Sequence, residues 1–328
     1  MNSDSPKDVL RSGHAACPGC GYAMGMRMVL KTLGFKAVVV VVPSCAAVIS
    51  GPFPNTALGV PSFHSAFEIA APTAAGISAA LKRQGVEDVT VLAFAGDGGT
   101  FDIGLQALSG AADRNEDFIY VCLDNEAYMN TGVQVSSSTP RYSWTGTTPT
   151  GNSRNKKQIM EIMAAHRIPY AATASIAFPE DLKAKVEKAK GMRGTRFIHL
   201  LAPCNTGWKI APEEAPLVAR LSVESNIFPL YEIFDGLRYE INHQPKKLPV
   251  ERYLEIQGRF SHISAEQNEA VQMETDRAWA ELCARETRSR QIHEGSGGVV
   301  EEPGRNADDH FSREFERVAF EYPAAKRQ

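Results

Sequence analysis

Residues 89–132, VTVLAFAGDGGTFDIGLQALSGAADRNEDFIYVCLDNEAYMNTG, constrain the fold of this chain more than any other stretch. A β-rich run at 89–95 ends at Gly96-Asp97-Gly98-Gly99. Ile103, Leu105 and Leu108 then recur at helical spacing within 101–112. A second apolar run at 118–123 closes on Asp124-Asn125. This is the pattern of a βαβ unit with polar turns at both strand ends. Such units build parallel sheets covered by helices, and ligands of open parallel sheets sit beyond the carboxyl ends of the strands. Asp97 and Asn125 offer hard oxygen donors from two such ends. Gly96, Gly98 and Gly99 let backbone N–H groups approach an anion closely. Because Mg²⁺ prefers few protein oxygens together with phosphate oxygens and water, the two turns suit a divalent cation carrying a diphosphate. GDGG alone reads first as a tight turn; the second turn gives the functional reading its weight. No GxxxxGK[ST] occurs and no GxGxxG opens a helix, which excludes a P-loop and a dinucleotide fingerprint.

The 328 residues suffice for one substantial α/β core with appendages. A net charge of −3 gives no electrostatic case for nucleic acid or an anionic membrane as partner. The longest apolar run, 37–43, is strand length, far short of the ~18 residues of a membrane span. Residues 1–13 are polar with no signal-peptide core, so the expected compartment is the cytoplasm.

Four segments are expected. Residues 1–21 form an N-terminal arm. Residues 22–225 form the α/β domain, with a helix at 22–33, strand 36–42, helix 65–84, the βαβ unit, a long ordered loop at 139–154, helix 156–166, strand 170–174, helix 179–191, strand 196–201 and helix 213–221. Residues 226–290 carry a hairpin about Asp235-Gly236, a short helix from Val250 and a helix to Arg288 opened by the capping box Ser264/Gln267. Residues 291–328 form an extended tail, polar at 295–309, with a last helix at 310–322.

Six cysteines in a chain of this size do not make a disulfide scaffold. Cys17-x2-Cys20 lies in the arm, while Cys45 and Cys204 each follow an expected strand, which places both on one sheet edge. Four thiolates about one point suit Zn²⁺ or a [4Fe–4S] cluster, and the chemistry alone does not separate the two. Cys122 within a strand and Cys283 within a helix read as packing residues.

GDG followed by Asn after about 27 residues resembles the thiamine diphosphate (ThDP) fingerprint, and LDNEAYMNTGVQVSSSTP at 123–140 narrows the resemblance. Together with HAACPGCG, PSC and APCNTGW, it is similar to the β subunit of 2-oxoacid:ferredoxin oxidoreductases of the pyruvate synthase type, over about residues 12–262. The resemblance implies a doubly wound, mostly parallel ThDP diphosphate-binding fold with a C-terminal hairpin and helical extension. It implies Mg²⁺ held by Asp97, the Asn125 side chain and the Ala127 carbonyl, with Gly96, Gly98 and Gly99 at the diphosphate. Asn130 is implied as catalytic near the thiazolium, with Thr131 and the rest of 131–139 at the cofactor mouth and His64 nearby. A [4Fe–4S] cluster on Cys17, Cys20, Cys45 and Cys204 is likewise implied.

The implied reaction is CoA-dependent oxidative decarboxylation of a 2-oxo acid, pyruvate first, with electrons leaving through the cluster to ferredoxin. The implied partners are an α subunit carrying the pyrimidine-binding domain, ferredoxin-like γ and δ subunits, and ferredoxin or a NAD-linked subunit. Tyr142 and Trp144 are more aromatic than a pyruvate enzyme suggests, which keeps phenylglyoxylate or another 2-oxo acid such as oxalate in view. The tail suggests a docking segment for an electron-transfer subunit. A zinc-stabilised nucleotide-binding scaffold is the reading from another class.

Overall fold

The computed structural model of the chain describes residues 8–295. In order, its elements are α1 (Gly21–Leu33), β1 (Ala37–Val41), α2 (Cys45–Ser50), β2 (Ser62–His64), α3 (Ala70–Arg83), β3 (Thr90–Gly96), α4 (Leu105–Asp113), β4 (Phe118–Asp124), α5 (Ile159–Ala165), β5 (Tyr170–Ser175), α6 (Pro179–Gly191), β6 (Thr195–Leu201), α7 (Asn205–Trp208), α8 (Ala215–Glu224), β7 (Tyr231–Phe234), β8 (Arg238–Ile241), α9 (Glu251–Leu254) and α10 (Ala265–Gly295). The residues to Ser289 form one compact unit. The last helix expected at 310–322, and all but the first residue of the polar stretch at 295–309, lie outside the described residues.

The strands form one sheet in the order β2-β1-β3-β4-β6-β5-β7-β8. The first six in that order pair in parallel, and β7 and β8 add an antiparallel hairpin at one edge. Strand residues alternate between faces with period two. Val39, Val41, Leu92 and Phe94 pack with α1 and α6, whereas Val40, Val91, Ala93 and Ala95 pack with α3, α4 and α5. Both faces are therefore covered, and β3 and β4 read as continuous apolar runs for that reason. On α3 the sheet-facing residues are Ala70, Ala71, Ala74 and Ala75, all buried, and their small size admits close helix–sheet packing.

The chain leaves β1 toward β2 on one side and leaves β3 toward β4 on the other. The sheet thus reverses direction between the adjacent strands β1 and β3, and the crevice at such a reversal is where open α/β sheets bind ligands. Asp97 and Cys45 stand at the two carboxyl ends that flank it.

Three local expectations are corrected. The helix expected from Phe101 is preceded by a π-turn, Gly98–Asp102, and α4 begins at Leu105. In that turn the Ile103 N–H reaches back to the Gly98 carbonyl at 3.3 Å, and Thr100 Oγ1 donates to the Gly96 carbonyl at 2.8 Å. Phe101 is thereby turned into the core, and such insertions recur at functional sites. The helix expected from Ser65 starts at Ala70, and α2, opened by the Ser44 side chain on the Ala46 N–H, was not expected. The short strand β2 is exposed throughout and so lacks the alternation by which a strand is read. By contrast α6 spans 179–191 as expected, and Ser264 and Gln267 exchange the bonds of a capping box, at 3.1 and 3.2 Å. Among the described residues no helix is long and apolar enough to cross a membrane.

Candidate active site at the carboxyl edge of the sheet

Along one edge of the sheet, β1, β3, β4 and β6 deliver in turn Cys45, Asp97, Asn125 and Cys204. Asp97 is 2% exposed, and Ser136 Oγ donates to its Oδ2 at 2.5 Å. One terminal atom of the Asn125 amide lies 3.1 Å from Asp97 Oδ1 and 2.9 Å from the Ala127 carbonyl oxygen. Glu126, between them, has a left-handed backbone (φ 66°), fixed by its N–H on Asp124 Oδ1 at 2.8 Å.

The spacing of these three positions bears on what they can hold. Oxygen ligands about 2.1 Å from an octahedral Mg²⁺ stand about 3.0 Å from one another. With its oxygen turned inward, Asn125 stands at that separation from both Asp97 Oδ1 and the Ala127 carbonyl. With its nitrogen inward, it donates to both neighbours instead. Among the described residues no cationic side chain pairs with Asp97. Burial, and then the Asp124 carboxylate, push the Asp97 carboxyl well above the usual range, and Ser136 only partly offsets this. A buried carboxylate without a counter-charge, beside a carbonyl and an amide, is a donor set that fits a divalent cation.

The neighbouring carboxylate is treated oppositely. Burial works against Asp124, yet Lys156 and His199 hold it below the carboxylate range. Lys156 Nζ lies 3.0 Å from Asp124 Oδ2, His199 Nε2 lies 2.7 Å away, and Ser138 Oγ donates at 2.6 Å. Lys156 also reaches Glu126 Oε1 at 3.0 Å, and Arg259 Nη2 holds Glu126 Oε2 at 2.6 Å. This buried network fixes the backbone on either side of Asn125. None of Asp124, Glu126, Lys156, His199 and Arg259 was singled out from the sequence, whereas Ser136 falls in the run 131–139 expected at the cofactor mouth. Asp124 beside Asn125 in LDNE was the one visible signal.

The glycine turn is close-packed. A Cβ on Gly98 would stand 2.2 Å from the Tyr128 ring, and one on Gly99 would stand 3.2 Å from Phe67. Tyr128 is held there by its hydroxyl, which donates to Asp102 Oδ2 at 3.0 Å. Gly96, the last residue of β3, has room around it. Asn130 and Thr131 are exposed at the tip of a small loop closed by Tyr128 and Gln134, and His64 is exposed at the carboxyl end of β2, two strands from Asp97. Trp144 stacks under Lys209 Nζ at 3.6 Å, and Tyr142 lies under Arg141.

The four cysteines lie near this edge. The arm is pinned by Leu10 bridging to Leu58 and by Gly21 N–H on the Pro203 carbonyl at 3.2 Å. Gly19 (φ 67°) and Gly21 pass so close to Pro212 and Pro203 that a Cβ would stand 2.1 and 2.6 Å from their carbonyl oxygens. The arm is thereby laid against the loop of Cys204, with Cys20 capping α1 and Cys204 capping α7. The sulfurs accept the Ala23 and Gly207 N–H groups at 3.4 and 3.3 Å. Burial and then Cys204 push the Cys45 thiol up to about 12, with Cys20 and Cys17 adding to it; burial raises Cys20 and Cys204 as well, Cys17 adding to the first and Cys20 and Cys17 to the second. Among the described residues no group of three or more His, Cys, Asp or Glu side chains converges as a metal site. Cys122 is buried in β4, and Cys283 sits partly buried in α10.

Comparison with known proteins agrees with this geometry. The thiamine pyrophosphate enzyme C-terminal TPP-binding domain family matches residues 44–200, from the Cys45 turn through β6. The pyruvate synthase subunit PorB of Methanothermobacter thermautotrophicus is 49% identical over 282 residues, 84% of this chain and 98% of that protein. The ketoisovalerate oxidoreductase subunit VorB of Pyrococcus furiosus is 46% identical over 284 residues, 83% and 91% of the respective chains. A solved structure of 2-oxoglutarate:ferredoxin oxidoreductase from Magnetococcus marinus, with 2-oxoglutarate, coenzyme A and succinyl-CoA bound, superposes with a TM-score of 0.54. At 23% identity over 67% of this chain and 81% of that one, it supports the fold. The chain belongs to the 2-oxoacid:ferredoxin oxidoreductase family, as a β-type subunit with the ThDP-binding domain.

Proposed function

We propose that this subunit catalyses oxidative decarboxylation of pyruvate to acetyl-CoA and CO₂, passing electrons through a [4Fe–4S] cluster to ferredoxin. The observation that carries the reading is the convergence of Asp97 Oδ1, the Asn125 amide and the Ala127 carbonyl, beside Cys45, whose thiol is pushed up by burial and then in part by Cys204, Cys20 and Cys17. Asp97, Asn125 and Ala127 would hold Mg²⁺, with the Gly98 and Gly99 backbone at the diphosphate. Cys17, Cys20, Cys45 and Cys204 would hold the cluster, with the sulfurs of Cys20 and Cys204 receiving backbone N–H bonds that favour the thiolate. When bound, ThDP supplies the electron sink for loss of CO₂, and the cluster supplies a one-electron acceptor.

The chain's own residues bind and orient. Asp97 would provide a negative charge that, together with the diphosphate, balances the divalent cation. The Asp124–Lys156–Glu126–Arg259 network keeps the Asn125–Ala127 backbone in place without moving charge. Exposed Asn130 and Thr131 would offer polar groups to whatever enters from the open side, with Asn130 the catalytic candidate and His64 at the rim. A second subunit would supply the pyrimidine-binding half. Exposed Phe63, Ile69 and Ile103, at 53%, 38% and 54%, are consistent with such a cover. Ferredoxin-like γ and δ subunits would carry electrons onward. Coenzyme A would accept the acyl group, and the cytoplasm, which keeps thiols reduced, is the compartment proposed.

Pyruvate rests on the likeness to pyruvate synthase subunits. A branched 2-oxo acid is the second reading, favoured by the near-equal identity to a ketoisovalerate subunit. The aromatic-substrate reading rests on Tyr142 and Trp144, whose rings lie under Arg141 and Lys209. The test is anaerobic purification with co-purifying subunits, quantitation of iron, sulfide, zinc and ThDP, and CoA-dependent turnover of pyruvate against 2-oxoisovalerate. About four iron and four sulfide per chain with pyruvate turnover is expected. Zinc without iron would remove the electron path.

A further inference from the structure

The Asn125 side chain touches both halves of the site. Its inner terminal atom lies 3.1 Å from Asp97 Oδ1 and 2.9 Å from the Ala127 carbonyl, while its outer one faces Cys45 Sγ at 3.9 Å. A carboxamide has one acceptor end and one donor end, so what the inner end meets decides what the outer end offers. Facing two bare oxygens, the inner position favours the nitrogen, which donates to both and leaves an acceptor toward the sulfur. Facing a cation, the inner position demands the oxygen, which turns the NH₂ onto Cys45. The Asn125 backbone is held during such a flip, because its carbonyl accepts from Trp208 Nε1 at 2.8 Å. The flip therefore needs rotation only about the terminal torsion, a broad two-fold one.

We propose that Asn125 is a positioning residue for electron transfer: a divalent cation at Asp97 and Ala127 fixes its amide so that Nδ2 donates a hydrogen bond to the Cys45 sulfur, raising the reduction potential of the cluster. This deepens the proposed function and rests on its cation and cluster assignments. An N–H bond to a thiolate favours the more negative, reduced cluster, and hydrogen bonds to sulfur are among the determinants of such potentials. One charge-assisted bond corresponds to about a tenfold change in the reduction equilibrium, which for a one-electron couple is about 59 mV. The consequence is a cluster that accepts electrons readily only when the diphosphate cofactor's cation is in place.

The test uses the assembled, anaerobically purified complex. The cluster potential is followed by EPR with Mg²⁺ present and after its removal by chelation. Exchangeable-proton ENDOR is recorded on the reduced cluster in H₂O and D₂O. The same measurements are made on Asn125→Asp, which keeps an inner oxygen but has no N–H, and on Asn125→Ser, which lacks the added charge. Iron, sulfide, Mg²⁺ and ThDP are quantified in every sample.

Wild type is expected to show an exchangeable-proton coupling that disappears on Mg²⁺ removal, with a shift of the potential to more negative values. Both variants should lack the coupling even where Mg²⁺ is retained. An identical coupling in wild type with and without Mg²⁺, in samples whose iron content is full, overturns the inference and leaves the proposed function standing. Absence of iron from the wild-type complex overturns both. The Mg²⁺ comparison on wild type keeps the test decisive should the variants fold poorly.

Discussion

Trp208 Nε1 donates a 2.8 Å hydrogen bond to the backbone carbonyl of Asn125, so the turn that begins at Cys204 is fastened to the residue that meets Asp97. A face of the indole carries the Arg259 guanidinium 3.8 Å from the ring centroid, and Arg259 in turn holds Glu126. One buried aromatic thus links the cysteine loop to Asn125 and, through Arg259, to Glu126. Trp208→Phe keeps the ring stack but orphans a buried carbonyl, at a cost of about 1–3 kcal/mol. The expected outcome is a lower thermal midpoint together with weaker ThDP retention, read by calorimetry and by cofactor content after gel filtration. A lower midpoint with unaltered ThDP retention would show that the bond serves the fold alone.

The glycine turn makes a second prediction. Gly98→Ala drives a methyl into the Tyr128 ring, which is not free to withdraw because Asp102 holds its hydroxyl. Overpacking of this kind costs about 1–3 kcal/mol. ThDP binding should weaken, and Gly98→Ala combined with Tyr128→Ala should recover part of the loss. Failure of the double variant to recover any binding would mean that Gly98 is needed for its backbone and not for the room it leaves.

Why some of this was legible in the sequence and some was not is a matter of periodicity and range. β3 and β4 are buried on both faces, so their apolar runs stand out, and the turns that end them carry Asp97 and Asn125 within one βαβ unit. Cys45 and Cys204 were placed on one edge because each follows a strand, and the structure puts them on the carboxyl edge with Asp97 between their strands. Lys156, His199 and Arg259 were missed because nothing local marks them. Arg259 meets Glu126 across 133 positions, through folding alone. β2 was missed because three exposed residues show no alternation.

Acid should loosen the hairpin edge of the sheet. Glu232 on β7 accepts from Lys188 at 2.6 Å, Tyr170 at 2.5 Å and Asn242 at 2.7 Å. Burial opposes its ionisation, but Lys188 and Tyr170 lower its pKa below the ordinary glutamate value. A carboxylate with a depressed folded pKa adds stability that is fully present above the unfolded value of about 4.3. That stability is lost as pH falls through the folded value. Glu232→Gln should therefore be less stable than wild type at neutral pH, with the gap closing toward the acid limb of a midpoint-versus-pH series. A gap independent of pH would assign the effect to packing.

Asp97 has the opposite linkage, and it separates a binding residue from a structural one. Its folded pKa is raised, so the ionised form costs the empty chain stability at neutral pH. Asp97→Ala removes that cost along with the charge a cation would need. Without cofactor, the variant should melt at or above the wild-type midpoint. Wild type should gain on adding Mg²⁺ with ThDP, by about 2.7 kcal/mol at a hundredfold excess over the dissociation constant, and the variant should gain nothing. The iron content of the two proteins should agree, because Asp97 contributes no sulfur. A variant that melts well below wild type without cofactor would identify Asp97 as part of the core's own support, and equal ThDP-induced stabilisation in both proteins would remove it from the cofactor site.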